Sequence, residues 1–209
     1  MKAKVYSTDG KATKKTVELN ADVFEVQVSD GCIYYAVKNE LANRRVGTAC
    51  TKTRAEVNYS NTKPFKQKGT GNARRGDKKS PVFVGGGTIF GPRPRDYSYS
   101  VPKKVKRNAM RSLLSQAVKE DRMFVVEDFT IDSCKTKDMA KILKNFAADD
   151  LRTVVIMAGD DAQIRRASRN IPNVHVLAYD KLSAKELLYG KKVLMLESAA
   201  KNLNEFYCD

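Results

Sequence analysis

Residues 152–203 read RTVVIMAGDDAQIRRASRNIPNVHVLAYDKLSAKELLYGKKVLMLESAAKNL and contain the pattern that decides the fold. Short apolar runs alternate here with amphipathic stretches of helical periodicity. The runs predict strands at residues 154–157, 174–177 and 193–196. Because such alternation is typical of parallel sheets, we expect an α/β fold with a mainly parallel sheet, helices on its faces and Rossmann-like layering.

The same alternation continues on both sides of this stretch. A strand is predicted at residues 123–126 and an amphipathic helix at residues 136–147. Ser183 and Glu186 have the spacing of a capping box and predict a helix start. Further helices are predicted at residues 33–45, 162–169 and 199–206, and further strands at residues 5–6, 17–19 and 23–28, the first two pairing across Asp9 and Gly10.

A helix with one apolar and one basic face is predicted after Pro102, because proline suits the first helical position. Val105, Ala109 and Leu113 recur at intervals of four and therefore share a face. The basic residues lie largely off that face: Lys103, Lys104, Lys106, Arg107 and Arg111.

Most of the positive charge lies in one internal segment. The chain has 209 residues and a net charge of +15. Residues 44–107 hold seventeen Lys and Arg but three acids, together with eight of the twelve glycines. The segment has few apolar residues, and burying them cannot offset the entropy lost when the segment becomes ordered. We therefore expect this segment to be disordered in the isolated protein. The predicted organisation is one globular domain, residues 1–45 and 101–209, with a long basic loop, residues 46–100, inserted in it.

Composition argues against several classes of protein. No apolar run approaches the ~18 residues of a membrane-spanning helix, and the first fifteen residues lack the apolar core of a secretory signal. Cys32, Cys50, Cys134 and Cys208 are too far apart for a CxxC site or a dense disulfide scaffold. We therefore expect reduced thiols, no zinc site and no membrane association.

Acids at the ends of the predicted strands allow an enzyme hypothesis. Asp128, Asp160, Asp161 and Asp180 could together bind Mg²⁺ and serve an RNA-acting enzyme, since such edges commonly bind ligands. The alternative is that these acids cap the helices that follow. His175 lies in an apolar strand, where a core or edge histidine is the more common role than a catalytic base.

The basic segment contains the residue types that RNA recognition requires. Lys and Arg neutralise phosphates, glycines let a backbone approach closely, and aromatic rings stack on unpaired bases. A general polyanion chaperone without a stoichiometric partner is an alternative. The rings considered for stacking are those of Tyr59, Phe65, Phe83, Tyr97 and Tyr99.

Several motifs in this segment resemble one protein family. They are KPFKQKGTGNARRG at residues 63–76, SPVFVGGG at 80–87, FGPRPRDYSY at 90–99 and PKK at 102–104. The chain resembles the bacterial branch of the large-subunit ribosomal protein four family over essentially its whole length. It departs from the common family pattern at Phe65, which replaces Trp, and at Lys66 and Asn72, which replace Arg.

The resemblance implies a structural constituent of the large ribosomal subunit, not an enzyme, with no cofactor. It implies a cytoplasmic ribosomal monomer that binds 23S rRNA early in assembly. The loop would reach the nascent-peptide exit tunnel, at a constriction shared with large-subunit protein twenty-two. The implied tip residues are Lys66, Gln67, Lys68, Gly69, Thr70, Gly71, Asn72, Ala73 and Arg74.

Composition and resemblance together predict a set of RNA-binding residues. They comprise the basic residues of the segment and of the following helix, with neighbouring glycines and aromatics. The predicted residues are Arg44, Arg45, Lys52, Arg54, Lys63, Phe65, Lys66, Gln67, Lys68, Gly69, Thr70, Gly71, Arg74, Arg75, Lys78, Lys79, Gly85, Gly86, Gly87, Arg93, Arg95, Tyr97, Lys103, Lys104, Lys106 and Arg107.

Overall fold

One six-stranded mixed sheet organises the computed structural model, which describes residues 1–131 and 133–208. The strands are β1 (Lys2–Tyr6), β2 (Ala12–Glu18), β3 (Met123–Val126), β4 (Thr153–Met157), β5 (Val174–Ala178) and β6 (Lys192–Leu196). Their spatial order is β2-β1-β3-β6-β4-β5, and only the β1–β2 pair is antiparallel. The predicted α/β class and mainly parallel sheet are confirmed.

Helices connect the parallel strands. Their positions agree with the sequence pattern after residue 100, with ends shifted by one or two residues. A short 3₁₀ helix, Tyr179–Lys181, follows β5. The α-helices of the described residues are α1 (Ala21–Phe24), α2 (Asp30–Asn43), α3 (Lys103–Lys119), α4 (Thr136–Asn145), α5 (Ala162–Ser168), α6 (Ala184–Tyr189) and α7 (Glu197–Phe206).

The core lies around the central strands. All five residues of β4 are buried, as expected for a strand that has neighbours on both sides and packing on both faces. Leu114 of α3 and Leu203 of α7 are fully buried with them in the same apolar cluster. The antiparallel β1–β2 hairpin turns through Gly10, whose φ is +78°. The predicted pairing across this turn is confirmed.

The predicted strand at residues 23–28 is wrong. Val23 and Phe24 instead lie in the one-turn helix α1, and both are fully buried. The Asn20 side chain accepts a hydrogen bond from the Asp22 N–H and so caps the helix. Beyond the helix, the Val26 N–H donates to the Ser115 hydroxyl instead of to a strand (3.0 Å). Two adjacent apolar residues do not distinguish one helical turn from a short strand.

The start of α6 shows how a distant residue completes a local motif. Ser183 accepts a hydrogen bond from the Glu186 N–H, which is half of the predicted capping box. The Glu186 carboxylate pairs with Arg152. Glu40 of α2 adds a further cap: it accepts from the Ser183 hydroxyl and the Ala184 N–H, both at 2.7 Å.

The chain divides into two compact units. Ala42–Ser98 forms one, which we call the basic unit, and the described residues on either side form the other, which we call the sheet unit. Apart from Ala42 and Asn43, which are the last residues of α2, the described residues of the basic unit form no helix or strand.

Candidate nucleic-acid interface

The basic unit has a large excess of positive charge and almost no interior. It contains thirteen Lys and Arg but only Glu56, Asp77 and Asp96 as acids. Gly87 is its single buried residue among those described. A segment without an apolar core needs other contacts to hold its shape.

Backbone hydrogen bonds join the two ends of the basic unit. The Arg95 N–H donates to the Gly47 carbonyl at 3.2 Å. Gly47 has a φ of +72°, and a Cβ there would lie 2.0 Å from the Arg95 carbonyl oxygen. A side chain at this position would therefore separate the two segments, so glycine is required.

Two of the three consecutive glycines pack against the basic unit's own backbone. A Cβ on Gly86 would lie 2.0 Å from the Ser80 carbonyl oxygen, and one on Gly87 would lie 2.3 Å from the Arg54 nitrogen. The Gly87 N–H also donates to the Lys79 carbonyl (3.0 Å). The close approach expected from the sequence is thus satisfied within the chain, and RNA contact at Gly85, Gly86 and Gly87 stays a prediction.

Two ion pairs link distant parts of the basic unit. Arg93 binds Glu56 through two parallel bonds of 2.9 and 3.0 Å. The hydrogen bond from Arg93, supported by the Thr53 N–H, lowers the pKa of Glu56. Arg54 pairs with Asp77 at 3.1 Å. Arg54 and Arg93, both predicted to bind RNA, therefore have an intramolecular role, and their contact with RNA stays a prediction.

Arginines also cover aromatic rings that the sequence offered for base stacking. The guanidinium carbons of Arg45 and Arg95 lie 3.8 and 4.4 Å from the centre of the Tyr97 ring. The hydrogen bond with Arg95 contributes most to lowering the pKa of Tyr97. Arg75 lies over the Phe83 ring at 4.7 Å. These cation–π contacts hold the guanidinium planes in fixed positions.

The predicted tip is exposed and contains two glycines with positive φ. Gly69 and Gly71 have φ values of +79° and +68°, and a Cβ on either would meet no atom within 4 Å. Backbone conformation, not crowding, therefore favours glycine there. Lys63 donates a hydrogen bond to Gln67 at the base of this turn. The other predicted tip residues are exposed except Thr70, which is half-buried.

The remaining predicted RNA-binding side chains lie mostly at the surface. Phe65 and Lys79 are half-buried. On α3, in the sheet unit, Arg107 is half-buried, while the other predicted residues of that helix are exposed. The exposed basic residues are Arg44, Arg45, Lys52, Lys63, Lys66, Lys68, Arg74, Arg75, Lys78, Arg95, Lys103, Lys104 and Lys106.

Comparison with known proteins identifies the family. The model of the ribosomal protein L4/L1 family matches residues 17–206, which is most of the chain. The chain belongs to the ribosomal protein L4/L1 family. The resemblance inferred from the loop motifs is thereby confirmed.

Relatives of similar length support the membership in L4/L1. The chain is 62% identical to large ribosomal subunit protein uL4 of Treponema denticola over 207 residues, which cover 99% of this chain and 97% of that one. Identity to the Treponema pallidum protein of the same name is 56%, over 99% and 95% of the two chains. For Borreliella afzelii it is 51%, over 99% of each. The names of the family and of these relatives are those of ribosomal proteins and not of an enzyme, in agreement with what the resemblance implies.

Three of the four strand-end acids of this L4/L1 member are engaged in helix caps or ion pairs. Asp161 accepts from the Gln163 N–H at the start of α5 (2.8 Å), and Asp128 accepts from the Ser198 N–H and hydroxyl at the start of α7. Asp160 pairs with Arg165 at 2.7 Å. Within the described residues, no cluster of three or more acids, histidines or cysteines could hold a metal ion. The structure supports the capping alternative for Asp128 and Asp161.

His175 has an ordinary structural environment. It lies in the outermost strand β5, and its Nε2 is 3.5 Å from the Glu186 carboxylate. This agrees with the predicted edge histidine. In the described part of the chain, no helix has both the length and the apolar character to cross a membrane.

Sequence reasoning missed a group of exposed apolar side chains in the basic unit. Val82, Val84, Ile89 and Phe90 are 87%, 106%, 60% and 103% exposed. Their apolar character did not predict this exposure, because apolar residues are usually buried. The available sequence signal was the glycines at residues 85–87 and 91. Glycines have no side chain, so they indicate a segment that cannot form a core around its apolar residues.

Proposed function

We propose that this chain is a structural constituent of the large ribosomal subunit that binds 23S rRNA through the basic unit. The observation that carries the proposal is the uncompensated charge of that unit. The unit has thirteen Lys and Arg against three acids, and two of those acids already pair with Arg54 and Arg93, so its positive charge exceeds what its own acids can neutralise. A polyanion is the partner that such a surface favours.

The internal contacts of the basic unit favour a specific RNA site over a loose cationic tail. The Gly47–Arg95 contact joins its ends, and the Arg93–Glu56 pair ties residues that are 37 positions apart. Chain segments already held together lose less entropy when they bind. These contacts also argue against a general polyanion chaperone, which needs no fixed arrangement of its charges.

We infer the wider organisation from the same features. The chain comprises a globular domain, residues 1–45 and 101–209, and a long basic loop, residues 46–100, that enters the rRNA. The extent of the basic unit supports this division. Helices α1 and α6 both pack on α3, and α4 packs on α5, which supports Rossmann-like layers of helices about the sheet.

Further details rest on the family resemblance. The protein binds 23S rRNA early in assembly, as a monomer within the cytoplasmic ribosome. The tip, residues 66–74, reaches the exit tunnel beside large-subunit protein twenty-two. The exposure of the tip and its positive-φ glycines support a turn able to enter a narrow passage.

Sucrose-gradient fractionation of native lysate tests the central proposal. The chain is quantified by mass spectrometry in each fraction at low and at moderately high salt. We expect one copy per large subunit, retained after the salt wash. Migration as an unbound protein, or loss from the subunit as salt rises, would reduce the role to transient RNA binding.

A further inference from the structure

A three-residue bulge interrupts the paired segments of the basic unit. The Thr88 N–H donates to the Lys52 carbonyl at 3.0 Å, and the Thr51 N–H donates to the Pro92 carbonyl at 3.1 Å. Thr51 and Lys52 are adjacent, whereas Thr88 and Pro92 are four positions apart. Residues 89–91 therefore have no residues opposite them in the backbone pairing and bulge out of it, as in an enlarged β-bulge.

Phe90 is at the centre of this bulge in an unusual state for an aromatic residue. Its φ is +54°, in the left-handed region that bulky residues avoid, and its side chain is 103% exposed. A Cβ on the next residue, Gly91, would lie 1.9 Å from the Thr51 hydroxyl oxygen. The bulge is thus held against the opposite segment while the ring points away from it. A strained conformation that exposes an apolar ring suggests a binding role.

The exposure of Phe90 distinguishes it from two other rings of the basic unit. Phe83 lies under Arg75, and Tyr97 lies under Arg45 and Arg95. Those rings already have cationic partners within the chain. The face of Phe90 is open to an incoming planar group.

The charge around the bulge determines which planar group fits. Lys52, whose backbone pairs with Thr88 beside the bulge, is exposed, and the nearest acid along the opposite segment, Glu56, is held by Arg93. A partner must therefore supply both negative charge and an apolar plane. RNA does so when its bases are unpaired, since a base within a duplex is already stacked on its neighbours.

We propose that Phe90 is a base-stacking residue that receives an unpaired nucleobase of the large-subunit rRNA. This inference rests on the proposed function and names the form of RNA that the basic unit recognises. The bulge positions the ring before binding, so stacking requires no rearrangement of the backbone.

Binding of purified variants to protein-free 23S rRNA over a range of salt concentrations tests the proposal. Phe90→Ala should weaken binding about 5- to 100-fold, as expected for one lost base stack, without changing the slope of log affinity against log salt. Phe90→Tyr should retain wild-type affinity and Phe90→Leu should lose most of it. Val84→Ala, at an equally exposed apolar position, is the control and should bind normally.

A fluorescence experiment reports on the ring directly. The chain has no tryptophan, so Phe90→Trp introduces a single reporter, and Val84→Trp is its matched control. We expect 23S rRNA to quench the emission at position 90 strongly and at position 84 weakly. Equal quenching at both positions would contradict stacking at the bulge.

The outcomes separate this inference from the function it rests on. Wild-type binding with an unimpaired Phe90→Ala variant overturns the stacking role alone. If that variant binds protein-free rRNA normally but leaves assembled subunits during a salt wash, the ring contacts a protein and the stacking role is also overturned. Absence of wild-type binding to rRNA overturns both proposals.

Discussion

The sheet unit and the basic unit maintain their structures by different means. In the sheet unit a continuous apolar cluster runs through β4, β6 and the helices around them, and side chains such as Ile156 and Leu114 are fully buried. In the basic unit the described contacts are backbone hydrogen bonds, ion pairs and glycine approaches. The hydrophobic effect dominates folding, so the first unit carries the stability of the protein.

Because the two units are stabilised differently, the stability of the fold and the binding of RNA should depend on different residues. Charges in the basic unit repel one another until phosphates neutralise them, so RNA is expected to complete its stabilisation. Changes in the core should therefore alter unfolding and leave the RNA-binding surface intact, while changes among the exposed cations should do the reverse. Four predictions test this separation, beginning with the largest effect.

Replacing residues 63–80 by a Gly/Ser linker of equal length should abolish most RNA binding and leave the sheet unit folded. The change removes seven Lys and Arg, each able to displace a counterion from RNA. We expect affinity for 23S rRNA to fall by at least about a hundredfold in moderate salt. Thermal unfolding followed by circular dichroism should stay cooperative, and a loss of cooperativity would contradict the independence of the two units.

Ile→Ala substitutions in the two units should have very different effects on stability. Ile156 is fully buried, so Ile156→Ala should lower the free energy of unfolding by about 2–5 kcal/mol through lost burial and a residual cavity. Ile89 is 60% exposed, and Ile89→Ala should change that free energy by less than about 0.5 kcal/mol. Urea denaturation measures both, and similar losses would contradict the contrast between the units.

Lys68→Glu should weaken rRNA binding with little change in stability. Lys68 is exposed at the predicted tip, where we expect it to contact a phosphate, so the reversal should remove that contact and add a repulsion. The slope of log affinity against log salt should fall by about one. Lys137→Glu on α4 of the sheet unit makes the same change of charge and is the control. Equal weakening by both variants would indicate a response to net charge alone.

Glu186 should make the stability of the sheet unit depend on pH. Burial opposes its ionisation most strongly, but the hydrogen bond from Arg152 and the charges of His175, Arg152 and Lys185 together hold its pKa below the usual 4.5. The unfolded chain then binds the proton more readily than the folded one. The stabilisation is complete above about pH 4.5 and is lost as pH falls through the lower, folded-state pKa.

Urea denaturation between pH 6 and pH 3 measures this dependence. Wild type should be more stable than Glu186→Gln at pH 6, and the difference should shrink toward pH 3. Glu205→Gln, at an exposed position of α7, should show no such trend. A difference that stays constant with pH would show that the Glu186 carboxylate does not contribute through its charge.

Local patterns allowed most of the sheet to be predicted. The strand β4 has the sequence TVVIM, a continuous apolar run that is typical of a strand buried on both faces. The prediction failed at α1, where four residues are too few to show helical periodicity and Asn20 decides the outcome by capping. The motifs of the basic unit predicted the family, but they did not predict the ion pairs within the basic unit. Arg54 and Asp77 are 23 positions apart, and no local sequence pattern indicates that they pair.

The sequence by itself determined the α/β class, the concentration of positive charge in one internal segment and the family of the chain. These properties depend on composition, short periodicities and contiguous motifs, which can be recognised without knowing distances. The tertiary structure decided the strand order β2-β1-β3-β6-β4-β5, the pairing of Arg93 with Glu56 and the exposure of Phe90. Each of these depends on contacts between residues far apart in the chain, and the energies that select such contacts arise only once the chain is folded.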